Sequence, residues 1–338
     1  MSTDFRTHNQ KDAREWVPVL AKYREPDTLR SSFELGVSVI PFIALWTMAL
    51  WIANFSYIAA FAVALLNGAF LLRMFCIQHD CGHGSFFDNR TLSDWVGRVL
   101  GVFTFTPYDV WRRTHSIHHS HAGDLDHRGI GDVMTLTVEE YNARSKMGRL
   151  KYRLYRHPLV MFGLGPSYLF MLQNRLPLGL MNQGRKYWIS AMCTNAAMAF
   201  IGFLIVFFGG WQALVFVTLP TVLLAASVGV WLFYVQHQFE ETHWKTNEDW
   251  QLHEAALEGS SHYDLPVVLR WFTANIGIHH VHHLYSRIPF YRLTDVLRDN
   301  EELVHRGRMT LRESFRCARL DLWDSAQNKL VSFKEARN

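Results

Sequence analysis

Four of the seven residues in Ile278-His279-His280-Val281-His282-His283-Leu284 are histidine. A neutral imidazole suits a core only when both ring nitrogens find partners, and four together are hard to satisfy. A metal ion removes the difficulty, because it takes one nitrogen of each ring and leaves the other for an outer acceptor. His279, His282 and His283 form H-x-x-H-H, and positions i, i+3 and i+4 share a helix face. The spacing therefore predicts three imidazoles converging on one side. His115, His118 and His119 repeat the pattern. His79 and His83 stand at i and i+4 in His79-Asp80-Cys81-Gly82-His83, and His237 sits in Tyr234-Val235-Gln236-His237-Gln238. These nine imidazoles exceed what one four-coordinate zinc ion can use. They suit two transition-metal ions with open positions, and all-imidazole ligation fits iron, copper, zinc or nickel. His280 falls between ligands and is expected to point away. His121, His127, His243, His253 and His262 are expected in supporting roles, and Asp80, Glu240 and Asn275 are placed to orient ligands. His8, His157 and His305 read as surface or ordinary hydrogen-bonding residues.

The elements that must position these side chains are apolar and long. No charged residue occurs from Leu35 to Leu72, with Asn54-Phe55-Ser56 as a polar break, and none from Tyr187 to Phe239, where Gly209-Gly210 divides the run. Each half approaches the roughly 20 residues needed to cross a bilayer. The expectation is an all-α integral membrane protein with four transmembrane helices in two hairpins, at about 33–54, 57–78, 188–208 and 211–236, under a cytosolic helical cap holding a di-metal site. Residues 1–32 read as an N-terminal cytosolic arm, 33–310 as the membrane domain and 311–338 as a C-terminal cytosolic tail. Arg144, Lys146, Arg149, Lys151, Arg153, Arg156, Arg175, Arg185 and Lys186 lie in a stretch without one acid, whereas both hairpin tips are uncharged. By the positive-inside rule this stretch and both termini face the cytoplasm. All histidine clusters then fall on that one side, next to the membrane. Val96–Thr106 and Leu159–Leu172 are too short to span and read as interfacial. The net charge of +4 gives no reason to expect nucleic acid. Cys76, Cys81, Cys193 and Cys317 have no C-x-x-C spacing, which argues against a disulfide framework or thiolate zinc site. The polar first thirty residues do not read as a signal peptide.

With those residues in hand, the chain resembles the membrane fatty acid desaturases, most closely the acyl-lipid omega-6 and omega-3 type. His79-Asp80-Cys81-Gly82-His83, His115-Ser116-Ile117-His118-His119 and His279-His280-Val281-His282-His283 match that family's three histidine boxes in order. The flanks Tyr234 to Glu240, Asn275-Ile276-Gly277 and Leu284 to Pro289 are also similar, and the resemblance covers about residues 30–310. It implies a non-haem di-iron centre, with His237 as the extra ligand between boxes two and three. It also implies dioxygen as cosubstrate and insertion of a cis double bond into an acyl chain. Without a His-Pro-Gly-Gly haem-domain signature in the sequence, electrons are expected from an external carrier, ferredoxin in this branch. The localisation implied is an inner membrane if the source is bacterial. Two other readings stay open at this stage. One is a lipid, carotenoid or alkane hydroxylase or ketolase on the same centre. The other is a membrane metal binder or zinc-dependent lipid hydrolase.

Overall fold

The computed structural model describes residues 12–129 and 131–337; the first eleven residues of the expected N-terminal arm, with His8, lie outside the described residues. The fold is mostly helical, and among the described residues three helical stretches are long and apolar enough to cross a membrane. Helix α1 (Thr28–Ile52) starts at Asp27, whose carboxylate accepts the Arg30 amide at 3.0 Å. It stops at the expected polar break, where Ser56 caps α2 (Tyr57–His83) through the Ala59 amide. The span expected at about 57–78 lies inside this helix, which runs on through His79-Asp80-Cys81-Gly82-His83, keeping the first histidine pair on one helix face, to Gly84, which takes the left-handed conformation (φ 70°) that ends helices at glycine. Hydropathy alone loses this last turn because its side chains are polar, yet most of them are buried against other elements.

Helix α3 (Arg90–Phe103) and helix α4 (Tyr108–His121) pack beside the end of α2. Helix α5 (Lys146–Arg156) follows, then α6 (Arg185–Ala213) and α7 (Leu219–His237). The stretch from Arg185 to His237 counts 53 residues. As one straight rod it would run about 80 Å, against roughly 30 Å of hydrocarbon. It is not one rod: Gly210 leaves helical geometry (φ 74°, ψ 168°) at the expected Gly209-Gly210 divide, and a π-helical turn over Leu214–Thr218 follows. Helix α8 (His279–Leu284) carries the third histidine cluster.

The expectation of an all-helical chain needs correction. Strands β1 (Leu136–Thr137), β4 (Leu322–Asp324) and β5 (Lys329–Val331) form one small sheet, and β2 (His262–Asp264) pairs in parallel with β3 (Arg308–Thr310). These strands are two or three residues long, too short to leave a periodic signal, and they exist because the chain returns to close over the core. Leu322 and Trp323 are buried, and Trp323 stacks on Trp244 at 5.4 Å. At the other end, Trp16 and Leu20 are buried in the same apolar cluster as Ile278 and Val281.

Buried cations tie the layers together. Arg73 on α2 donates to Glu34 of α1, to Ser38 Oγ (3.0 Å) and to the Trp271 carbonyl. Arg156, one of the basic residues of the acid-free stretch, is the second such cation. It is fully enclosed and donates to Tyr234 Oη (3.0 Å), Gln238 Oε1 (2.9 Å) and the Leu320 carbonyl (2.6 Å), joining α5, α7 and the C-terminal segment.

Candidate metal centre

The nine patterned histidines gather in two groups, and within each group the ring nitrogens all lie within 4.8 Å of one another. Group one is His79, His83, His115, His119 and His282; group two is His118, His237, His279 and His283. The expectation that H-x-x-H-H aims three rings at one side is therefore refined. On a helix, i and i+4 differ by about 40° and i+3 sits about 60° to the other side. In α4 the i, i+4 pair His115/His119 joins group one and His118 joins group two. In α8 the assignment reverses: His279/His283 join group two and His282 joins group one. The two groups touch through His119 and His283, whose rings stack at 4.0 Å.

Local sequence sets each approach. Gly82 lies between His79 and His83 because a Cβ there would meet the Trp111 ring at 2.8 Å. That space lets Trp111 stack on His115 at 4.6 Å and lie beside His79. Ahead of the third cluster, Ala274 and Asn275 take positive φ (48° and 54°), a costly conformation for side-chain-bearing residues. Asn275 Nδ2 holds the turn by donating to the Phe290 carbonyl at 3.1 Å, and Gln236 Nε2 donates to the Ile276 carbonyl at 3.0 Å. His237, next to Gln236, is thereby fixed against α8.

The nitrogen spacings test whether the donor set fits a metal. Nε2–Nε2 separations are 3.1 Å for His83–His115 and His115–His119, and 3.2 Å for His119–His282. In group two they are 3.1 Å for His118–His237 and 3.0 Å for His237–His279. With metal–nitrogen bonds of about 2.1 Å, an octahedral edge is about 3.0 Å and a tetrahedral edge about 3.4 Å. Outward acceptors explain why the lone pairs point inward: His118 Nδ1 meets Asp132, His237 Nδ1 faces the Gly259 carbonyl at 3.4 Å, and His79 Nδ1 faces Asp80 Oδ1 at 3.4 Å. His283 Nε2 is buried without a hydrogen-bond partner. Rings whose Nδ1 carries the proton cannot satisfy one another through Nε2; a cation can satisfy them together. Burial first, and then the neighbouring imidazoles, hold His115, His119, His279, His282 and His283 well below the usual 6.5, so these rings stay neutral and ready to ligate.

A sequence profile described as "Fatty acid desaturase" matches residues 55–315, an interval that contains all nine histidines. The chain belongs to the fatty acid desaturase family. This desaturase is 40% identical over 338 residues to a protein named fatty acid desaturase from Bacillus subtilis, covering 100% of this chain and 95% of the relative. It is 27% identical over 289 residues to the sn-1 acyl-lipid omega-3 desaturase (ferredoxin) of Synechocystis sp., covering 80% and 74%. It is 29% identical over 230 residues to the sn-1 oleoyl-lipid 12-desaturase of the same organism, covering 67% and 64%. The desaturase is thus an oxidoreductase of lipid metabolism, with histidine clusters able to bind metal.

The other residues singled out in the desaturase sequence divide. His280 turns away from both groups: its Nε2 pairs with the Leu303 carbonyl at 2.9 Å, and burial pushes it down to about 3. His262 lies beside it and pairs with the Val304 carbonyl at 2.7 Å. Asp80 holds two partners, His79 and the Phe290 amide at 2.8 Å. Glu240 is exposed. Asp132 escaped the sequence reading: it stands fourteen positions after His118, on a loop without regular spacing. Gly131 (φ 76°) brings that loop against α4, with its Cβ position 3.1 Å from His118 Cβ. A small pocket adjoins Asp132 and His237, with Asp124, Arg128 and Gln238 in its wall.

Proposed function

We propose that this chain is an oxygen-dependent acyl-lipid desaturase that inserts a cis double bond into a membrane-borne acyl chain. The observation that carries the reading is the convergence of two sets of imidazole nitrogens at metal-edge spacing within a desaturase-family chain. His79, His83, His115, His119 and His282 would hold one iron ion, and His118, His237, His279 and His283 a second. Bound iron would supply the oxidising power for removing hydrogen from an unactivated methylene, which side chains lack. The remaining work falls to the protein. Asp132, the Gly259 carbonyl and Asp80 keep protons on the outer nitrogens of His118, His237 and His79, so that Nε2 stays free to ligate. Trp111 and Phe75, whose rings meet at 5.5 Å, present apolar surface beside His115 and His79 for the chain to lie on. Burial keeps water from the reacting methylene. Dioxygen becoming water needs four electrons: two leave with the two hydrogens of the chain and two come from an external carrier. Ferredoxin is the proposed carrier, because the Synechocystis relative has it in its name.

The proposed topology has four spans, with the third helical stretch crossing twice about Gly210, and residues 33–310 as the membrane domain. Residues 1–32 and 311–338 flank it on the cytoplasmic side, at the inner membrane if the source is bacterial. The test is expression in a host that makes only saturated and monounsaturated acyl chains, with new double bonds located by mass spectrometry. A product carrying added oxygen in place of a double bond would sink the assignment, as would purified protein holding zinc and working without dioxygen.

A further inference from the structure

Helix α5 turns its faces the wrong way round for a helix in water. Its buried face carries Arg156 and Tyr152, whose hydroxyl donates to the Asp321 carbonyl at 2.8 Å. Met147, Leu150 and Leu154 fall at i, i+3 and i+7 on the outer face, each with half or more of its surface exposed. At about 100° per residue, Lys151 lies to one side of this stripe and Lys146 to the other. Both lysines are exposed, as is Arg144, and no acid occurs from Tyr141 to Lys186. Glu140, the acid just before, is occupied by Arg128. The apolar surface continues past the helix through Leu159, Leu164 and Leu172, all exposed. That continuation runs against α7, where Phe162 meets Trp231 at 4.9 Å and Tyr234 at 5.3 Å. Arg156 donates to Tyr234, about one turn before His237, so the end of α5 lies at the level where the proposed fourth span leaves the lipid.

We infer that α5 is a seat for an anionic phospholipid surface: the stripe sinks into the headgroup boundary while Lys146 and Lys151 reach the phosphates. The inference rests on the membrane topology proposed above and not on the desaturase chemistry. Neither feature alone selects the occupant. An apolar stripe by itself would suit any lipid or a second copy of this chain, and cations by themselves would suit an acidic protein. Together, on one helix at the membrane edge, they match a surface that is apolar within and negative at its boundary. The long lysine stems let the ammonium groups rise from the stripe to the phosphates. The seat bears on the metal centre through the loop after α4. Tyr155 Oη accepts the Met134 amide at 3.1 Å, and Arg156 Nη1 donates to Thr135 Oγ1 at 3.1 Å. Helix α5 thus holds the loop whose Asp132 meets His118, and it holds that loop more steadily when seated on lipid than when left in water.

The full-length protein in lipid nanodiscs tests this, with Cys193→Ser removing the exposed native thiol. An environment-sensitive dye attached at Leu150→Cys is expected to be quenched by a lipid-borne nitroxide in discs of mixed phosphatidylglycerol and phosphatidylcholine. In pure phosphatidylcholine it is expected to be reached instead by aqueous iodide. Each cation removed, through Lys146→Gln or Lys151→Gln, should lower the ratio of lipid-facing to water-facing dye about five-fold. Hydrogen exchange over residues 132–136 should slow in the anionic discs, a readout that needs neither metal nor turnover. A dye at Ile40→Cys, exposed on α1, should be lipid-quenched in every disc. A Leu150 dye that meets iodide alike in both disc types overturns the inference and leaves the desaturase assignment standing, as does lipid contact that ignores lipid charge and both lysine substitutions. Substitutions that weaken only the binding of an acidic protein assign the cations to that protein and overturn it too. An Ile40 dye that meets iodide removes the membrane topology itself, and the inference with it. Should a lysine variant fail to fold, the comparison of disc types in the Leu150→Cys protein decides.

Discussion

The two histidine groups share α4 and α8, with α2 completing one and α7 the other, and they differ in enclosure. In group two, all four rings are buried; in group one, His83, His115 and His119 are half-buried and only His79 and His282 are buried. Their supports differ as well. Group two rests on an outer carboxylate, Asp132, brought back by the irregular loop that follows α4. Group one borrows Asp80, a neighbour within its own helix, and is covered on one side by Trp111. The closed group is placed by packing from α4, α7 and α8 at once, whereas the open one keeps a face through which a substrate can approach.

That contrast can be broken by experiment. The largest effects are expected from the ligands. His118→Ala should empty group two and spare group one, and His115→Ala should do the reverse. Each should lose well over the roughly 100-fold that outer partners are worth. Metal stoichiometry on purified protein checks the partition, which fails if both variants lose the same ion or neither does. Next, Asp132→Asn should lower metal affinity or activity about 10- to 100-fold, with the loss confined to group two. An equal loss of both ions would mean that Asp132 supports the loop rather than His118.

Acid supplies a third contrast. The folded rings resist protonation while unfolded histidines take up protons below about 6.5, so the unfolded state binds more protons as pH falls. Stability of the metal-stripped protein should therefore be held above pH 6.5 and lost progressively below it, with His280 contributing down to about 3. Half-buried group one should surrender its ion at a higher pH than buried group two. Thermal unfolding and metal content along a pH series would show it, and simultaneous release would remove the distinction. The smallest effect is expected from Gly82→Ala, which forces the tip of the Trp111 ring to shift. It should cost about 1 kcal/mol and reduce turnover a few-fold while group two keeps its ion.

Much of this centre was legible along the chain, for reasons that lie in the residues themselves. Histidine pairs at i and i+4 share a helix face in any fold, so His79/His83, His115/His119 and His279/His283 could be picked out before any contact was known. The helical stretches were legible because apolar runs of such length have few other uses. Asp132 was not legible, since its approach to His118 depends on a left-handed glycine and a loop path rather than on spacing. Nor was the enclosed state of Arg156, whose partners Tyr234, Gln238 and Leu320 come from the end of α7 and from the C-terminal segment.

The sequence by itself determined the chemistry on offer: nine imidazoles at helical spacing beside long apolar segments. That much follows from residue type and the period of a helix. Only the tertiary structure decided which ring serves which group, because α4 and α8 meet with their i, i+4 pairs facing opposite groups. It alone also decided the pairing of His118 with Asp132, since a left-handed glycine and a loop path, which no helical spacing encodes, bring the two together.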